Sequence, residues 1–181
     1  MPDRVSFSGK HLGLPEIAVH HQDLESSLTL YFSADSPRYL VRFVGYATSE
    51  LTDELRERLN EADLASSLTV LASVEAAFRI DYLQRCYRRE KGPVARAFRD
   101  IYKAKGDRAS LDKEIFEAWV DNSPGKRPII GELRGAFRFR HWLAHGRYWT
   151  PKLGRQRYDF YYVSDLADRT LSSFPFFDFG N

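Results

Sequence analysis

Arg140, His141 and His145 are the residues whose types and spacing best suit a reaction. They sit in residues 130–149, which read I-G-E-L-R-G-A-F-R-F-R-H-W-L-A-H-G-R-Y-W. On a helix at 100° per residue, Leu133, Ala136, Phe137, Leu143 and Ala144 form an apolar stripe. Arg140 falls inside that stripe, within about 20° of Leu133. A guanidinium there needs a carboxylate or a phosphate beside it. Arg134, Arg138, His141 and His145 form a polar stripe next to it. His145 stands just before Gly146, where the negative end of a helix favours a protonated imidazole.

A histidine suits general acid–base work, and an always-charged arginine suits a phosphate that gains negative charge in a transition state. Together they can cleave RNA without a metal or cofactor, because the RNA's own 2′-OH is the nucleophile. Positions 140 and 145 lie about 140° apart on an ideal helix. One site can use both if the helix ends near His145 or if a groove between two copies joins both faces. The four-residue spacing of His141 and His145 is also that of a helical zinc pair. Trp142 occupies the position where a zinc protease has Glu, and a third ligand would have to come from His20, His21 or an acid, so no metal site is expected.

The elements that hold these residues read as helices. Leu64, Leu68, Leu71, Glu75, Phe78 and Tyr82 recur every three or four positions and predict a central helix over residues 63–89. Glu75 lies within its apolar face, so an Arg from a neighbouring helix is the obvious partner, and Arg140 is one that could pair with it. Shorter helices are expected over residues 36–45, 49–59, 94–105, 111–121 (capped by Ser110) and 130–145. Residues 1–21 read as an irregular lead-in, and residues 22–34 as a helix or, at Leu28–Phe32, a short strand. Tyr158–Val163 reads as a strand, or Ser164 caps a last helix. The aromatic end, Phe174 to Phe179, is expected to fold back on the core. The sum is an all-α bundle of four to five main helices over residues 46–181, with an N-terminal accessory segment, irregular or partly β, over 1–45. No Gly-rich phosphate loop occurs.

Composition agrees with a single domain. The chain has 181 residues, 43% hydrophobic and 29% charged, enough for a core without staples. It lacks an apolar run long enough for a membrane span, no export signal is expected from its first 20 residues, and it has one cysteine, Cys86. A cytoplasmic location is therefore expected. The net charge of +2 conceals two basic blocks. Residues 126–158 carry nine basic residues against one acid, and residues 85–108 carry nine against three. Such blocks indicate a focused anionic partner, nucleic acid above all, or else a solvated helix face. Arg134, Arg138, Arg147, Lys152 and Arg155 are candidate phosphate contacts, and Tyr148 a candidate base-stacking residue.

Arg140-His-Trp-Leu-Ala-His145 resembles the R-x4-6-H motif of HEPN domains, all-helical bundles that include many metal-independent ribonucleases, often toxins or antiphage effectors. The phrase F-R-H-W-L-A-H-G-R-Y-W is similar to the RiboL-PSP-HEPN subset, and L-T-V-L-A-S-V-E-A-A-F-R-I-D-Y resembles that subset's central helix. The likeness spans roughly residues 45–170. It implies that Arg140 and His145 are catalytic, His141 auxiliary and Glu75 an orienting residue. It also implies a homodimer with the two motifs facing across a groove, RNA (tRNA or mRNA) as substrate, and an antitoxin or other regulatory protein as a possible partner. A non-catalytic member binding nucleic acid, nucleotide or protein is the alternative. A helical scaffold whose basic face binds an acidic protein is a third.

Overall fold

The computed structural model describes residues 4–177, and among these every regular element is a helix. The first is α1, Leu14–Tyr31, then the single turn α2, Tyr39–Arg42, and the long α3, Thr48–Tyr87. Then come α4, Pro93–Lys105, α5, Glu117–Asn122, α6, Arg127–Ala144, and α7, Phe160–Ser173.

The axis of the molecule is α3. Its 40 residues reach about 60 Å at 1.5 Å per residue. The two helices expected over 49–59 and 63–89 are one, because no Gly or Pro interrupts the chain between them. Glu50 closes its N-terminus by accepting a hydrogen bond from the Ala47 N–H at 2.7 Å. Its buried residues begin only at Ala62. From there Val70, Leu71, Val74, Phe78 and Tyr82 meet α1, α4, α6 and α7. At the far end Arg89 adopts φ 54°, the left-handed turn that commonly ends a helix.

The N-terminal segment differs from the sequence expectation. Pro15 starts α1 rather than breaking it, since a proline in the first turn loses no hydrogen bond. The strand alternative at Leu28–Phe32 gives way to the last turns of that helix. α1 lies on α3, with Ile17 in the core and the Ser73 hydroxyl donating to Leu12 O at 2.8 Å. Beyond it, Tyr31, Phe32, Tyr39 and Tyr46 gather round buried Phe43. The aliphatic residues Leu40, Val41 and Val44 there stay exposed.

Tyr158–Val163 is not a strand either. Asp159, not Ser164, caps α7 by accepting the Tyr162 N–H at 2.9 Å. Both oxygens of Asp63 accept the Phe160 N–H at 3.1 Å, which pins this start to α3. Phe174 is buried, with ring centroids 5.1 Å from both Phe78 and Trp119, so the described part of the aromatic end packs on its own core. Asp178 and Phe179 lie outside the described residues.

Candidate active site

The end of α6 is built by a sharp turn. His145 caps the helix, and Gly146 and Arg147 follow with φ 82° and 58°. Two consecutive left-handed residues swing the chain back across the helix. The Trp142 indole N–H donates to Trp149 O at 2.7 Å and ties the returning loop down. The loop then becomes a wall. Trp149, Thr150, Pro151, Lys152 and Leu153 face Ser110–Lys113 across a cleft of about 1000 Å³. Arg134, Phe137, Arg138, Arg140 and His141 form its α6 side, and Glu75 of α3 reaches it from below.

Glu75 and Arg140 pair as their positions in apolar stripes require: Nη2 lies 3.2 Å from Oε2. Glu75 is shared, however. Arg79, one turn along α3, donates its Nε to Oε1 at 2.7 Å and its Nη1 to Ala109 O at 3.2 Å. One carboxylate thus holds two guanidiniums. Arg140 Nε is buried without a hydrogen-bond partner. An unsatisfied charged donor beside an open cleft is well placed to meet an anion.

The other expected site residues divide. His141 lines the cleft, whereas His145 lies just outside it, its ring centroid 4.3 Å from that of His141. The 140° offset from Arg140 therefore persists within one chain, because α6 stays regular up to Ala144. Arg138 and Lys152 line the cleft. So does Arg134, with Nε 2.6 Å from Asp112 and Nη2 2.5 Å from Glu117, so most of its charge is met. Arg147 points to the other side and forms a two-pronged pair with Glu61 at 2.7 and 2.9 Å. Those hydrogen bonds hold the Glu61 carboxyl below its usual range. Tyr148 is 85% exposed and away from the cleft, as is Arg155.

Four features of the site were not read from the sequence. Arg79 shares Glu75, Glu61 neutralises Arg147, and Lys113 adds a cation to the cleft. The fourth is the winding of Leu111–Phe116, a π-turn whose Ser110 cap accepts from Lys113 N at 3.2 Å. Widened turns of this kind often occur at functional sites. Only the Ser110 cap carried a sequence signal. The cleft wall has five cations, Lys113, Arg134, Arg138, Arg140 and Lys152, against Glu75 and Asp112. Among the described residues no group of three His, Cys, Asp or Glu is arranged to hold a metal ion. Comparisons with family models, curated proteins and solved structures give no match.

Proposed function

We propose that this protein is a metal-independent endoribonuclease of the HEPN type. The observation that carries the reading is Arg140, anchored by Glu75, opening into a basic cleft lined by His141, with the His145 ring tilted against that of His141 just outside it. The cations of the wall take the RNA phosphates, and Arg140 carries the charge of the phosphate under attack. A histidine accepts the proton of the 2′-OH as that oxygen bonds to phosphorus. The bond from phosphorus to O5′ breaks, and an imidazolium gives O5′ its proton. The products are a 2′,3′-cyclic phosphate and a 5′-hydroxyl.

His145 outside the cleft of its own chain favours a composite site in a homodimer, with the histidine of one copy acting beside Arg140 of the other. In this reading tRNA or mRNA is the substrate, the protein acts in the cytoplasm as a toxin or antiphage effector, and an antitoxin or regulatory protein restrains it. Among the described residues no helix is long and apolar enough to cross a membrane. The test is incubation with total RNA and a tRNA pool in EDTA. New fragments ending in 2′,3′-cyclic phosphate support the reading, and intact RNA across both pools rejects it.

The same geometry favours a second reading, a non-catalytic module that binds nucleic acid, nucleotide or protein. Arg140 already has a carboxylate, and no described acid or base other than His141 stands beside it on the α6 wall. That module binds RNA with an affinity that falls steeply with salt and does not depend on His145.

A further inference from the structure

The second basic block of the sequence folds into a pocket of its own. At the C-terminal end of α3, a hollow of about 370 Å³ is lined by Arg4, Cys86, Tyr87, Arg89, Arg99, Tyr102 and Lys103. Four of the seven are cations, two are aromatic, and no carboxylate among the described residues lines it. Cys86 and Tyr87 are 11 and 12 residues beyond Glu75, so this pocket lies about 17 Å along α3 from the cleft.

Several arginines elsewhere in the molecule are ion-paired. Arg42, Arg56, Arg58, Arg79, Arg85 and Arg169 each meet a carboxylate. Arg4, Arg89 and Arg99 meet none among the described residues. Arg4 Nη2 lies 3.5 Å from Tyr87 O, and Arg99 Nη1 donates to Glu90 O. Lys103 alone has an acid, Asp100 at 2.8 Å, and that pair is exposed on both sides. Cations converging on one hollow repel each other, and only an anion placed among them turns that into attraction.

Arg89 adds a second indication. Its φ of 54° is a conformation that glycine adopts freely and an arginine only at a cost near 1 kcal/mol. The helix end itself is closed by main chain, with Arg88 N donating to Gln84 O at 2.9 Å, Arg89 N to Cys86 O at 3.3 Å and Glu90 N to Arg85 O at 3.2 Å. The turn thus needs no guanidinium, yet Arg89 lines the hollow together with Arg99.

Aromatic surface completes the pocket. Tyr87 and Tyr102 meet edge to face with centroids 5.9 Å apart, and the Arg4 guanidinium lies 5.1 Å over the Tyr87 ring. The Tyr87 hydroxyl accepts the Val5 N–H at 2.9 Å, which fixes the ring. Burial pushes the Cys86 thiol up to about 12, so it stays neutral and adds apolar wall. A hollow of this size fits one small molecule.

We propose that this pocket binds a phosphorylated nucleotide, with the phosphate among Arg89, Arg99 and Lys103 and the base against the tyrosines. Stacking on an aromatic ring and bidentate capture of phosphate by arginine are the two contacts such a ligand offers. The nucleotide is either free or the 5′-phosphorylated end of an RNA strand, and both present the same chemistry here. The pocket does not depend on the ribonuclease reading of the cleft.

The test is calorimetric titration of the full chain with four probes: AMP, adenosine, inorganic phosphate, and a 5′-phosphorylated 2′-O-methyl trinucleotide that resists 2′-OH attack. AMP or the trinucleotide binds at least about tenfold more tightly than adenosine or phosphate alone, and whichever of the two is tighter identifies the source. Arg89→Gly, which suits the φ at that position, and Lys103→Gln, on the surface, each weaken binding about tenfold and leave the fold intact. Arg140→Ala leaves it unchanged. Absence of binding at millimolar ligand overturns the proposal. So does phosphate binding as tightly as both AMP and the trinucleotide, an affinity indifferent to both pocket variants, or one abolished by Arg140→Ala.

Discussion

Replacing Glu75 by glutamine removes one carboxylate and strands two guanidiniums. Its side chain is 19% exposed, and it touches Arg79 at 2.7 Å and Arg140 at 3.2 Å, whose side chains are 38% and 34% exposed. Breaking a fully buried pair by deleting one partner costs about 3–5 kcal/mol, and exposed pairs are worth under about 1 kcal/mol. The arginines here stand between these limits, which places the cost near 1.5–3 kcal/mol. For a chain of this size each kcal/mol moves Tm by about 2–4 °C, so Tm falls by about 3–12 °C. Thermal melts by circular dichroism at low salt read the shift directly. The pair also predicts coupling: Glu75→Gln combined with Arg140→Gln costs less than the two single changes summed. A Tm change below about 1 °C, or strict additivity in the double variant, refutes the view that Glu75 anchors Arg140.

Four further outcomes follow from particular contacts. Gly135→Ala places a Cβ 2.1 Å from the Tyr158 hydroxyl, whose ring stacks on Phe139 at 5.3 Å, and is expected to cost about 1–3 kcal/mol in urea unfolding. Arg147→Gly loses an exposed pair with Glu61 but relieves a φ of 58°, so Tm stays within about 3 °C of wild type. Asp81 is fully buried, and burial lifts its carboxyl to about 6 although Arg85 and the Phe177 N–H pull the other way. The folded chain then holds this proton more tightly than the unfolded one, so the contribution of Asp81 to stability falls as pH rises from about 4 through about 6. Urea midpoints of wild type minus Asp81→Asn across that range show the decline, and a flat or rising difference contradicts it. If the site is shared between two copies, mixing Arg140→Ala with His145→Ala protein restores about a quarter of wild-type cleavage, because half the dimers are mixed and each has one intact site. No recovery places both residues in one chain.

What the sequence made legible depended on how local the cause was. Gly146 after His145, Ser110 before Leu111 and Pro93 at the start of α4 each act within one turn, and all three mark real element ends. The Glu75–Arg140 pair was legible for another reason: a charge in each of two apolar stripes has few places to go. The continuity of α3 through Asn60 and Glu61 was not legible, because polar residues there break an apolar repeat without breaking a helix. Pro15 and Asp159 misled for a different reason, as each starts a helix where local pattern favoured a loop or a strand. The cleft's far wall and the Arg147–Glu61 pair join residues distant in the chain, and spacing carries no trace of them. Arg147 and Arg155 were grouped with the cleft by charge alone, and the left-handed turn at Gly146 sends them elsewhere.

On the proposed function, Arg140 and a histidine of the α6 end cleave RNA without metal. The most direct test is the single-turnover rate of tRNA cleavage in EDTA for wild type, Arg140→Ala, His145→Ala and His141→Ala, each shown to be folded by circular dichroism. Wild type is expected to cleave, with loss of at least about a hundredfold in Arg140→Ala and His145→Ala, since each removes a group proposed to act in the transition state. Cleavage that persists unchanged in both variants, or is absent from folded wild type, contradicts the proposal.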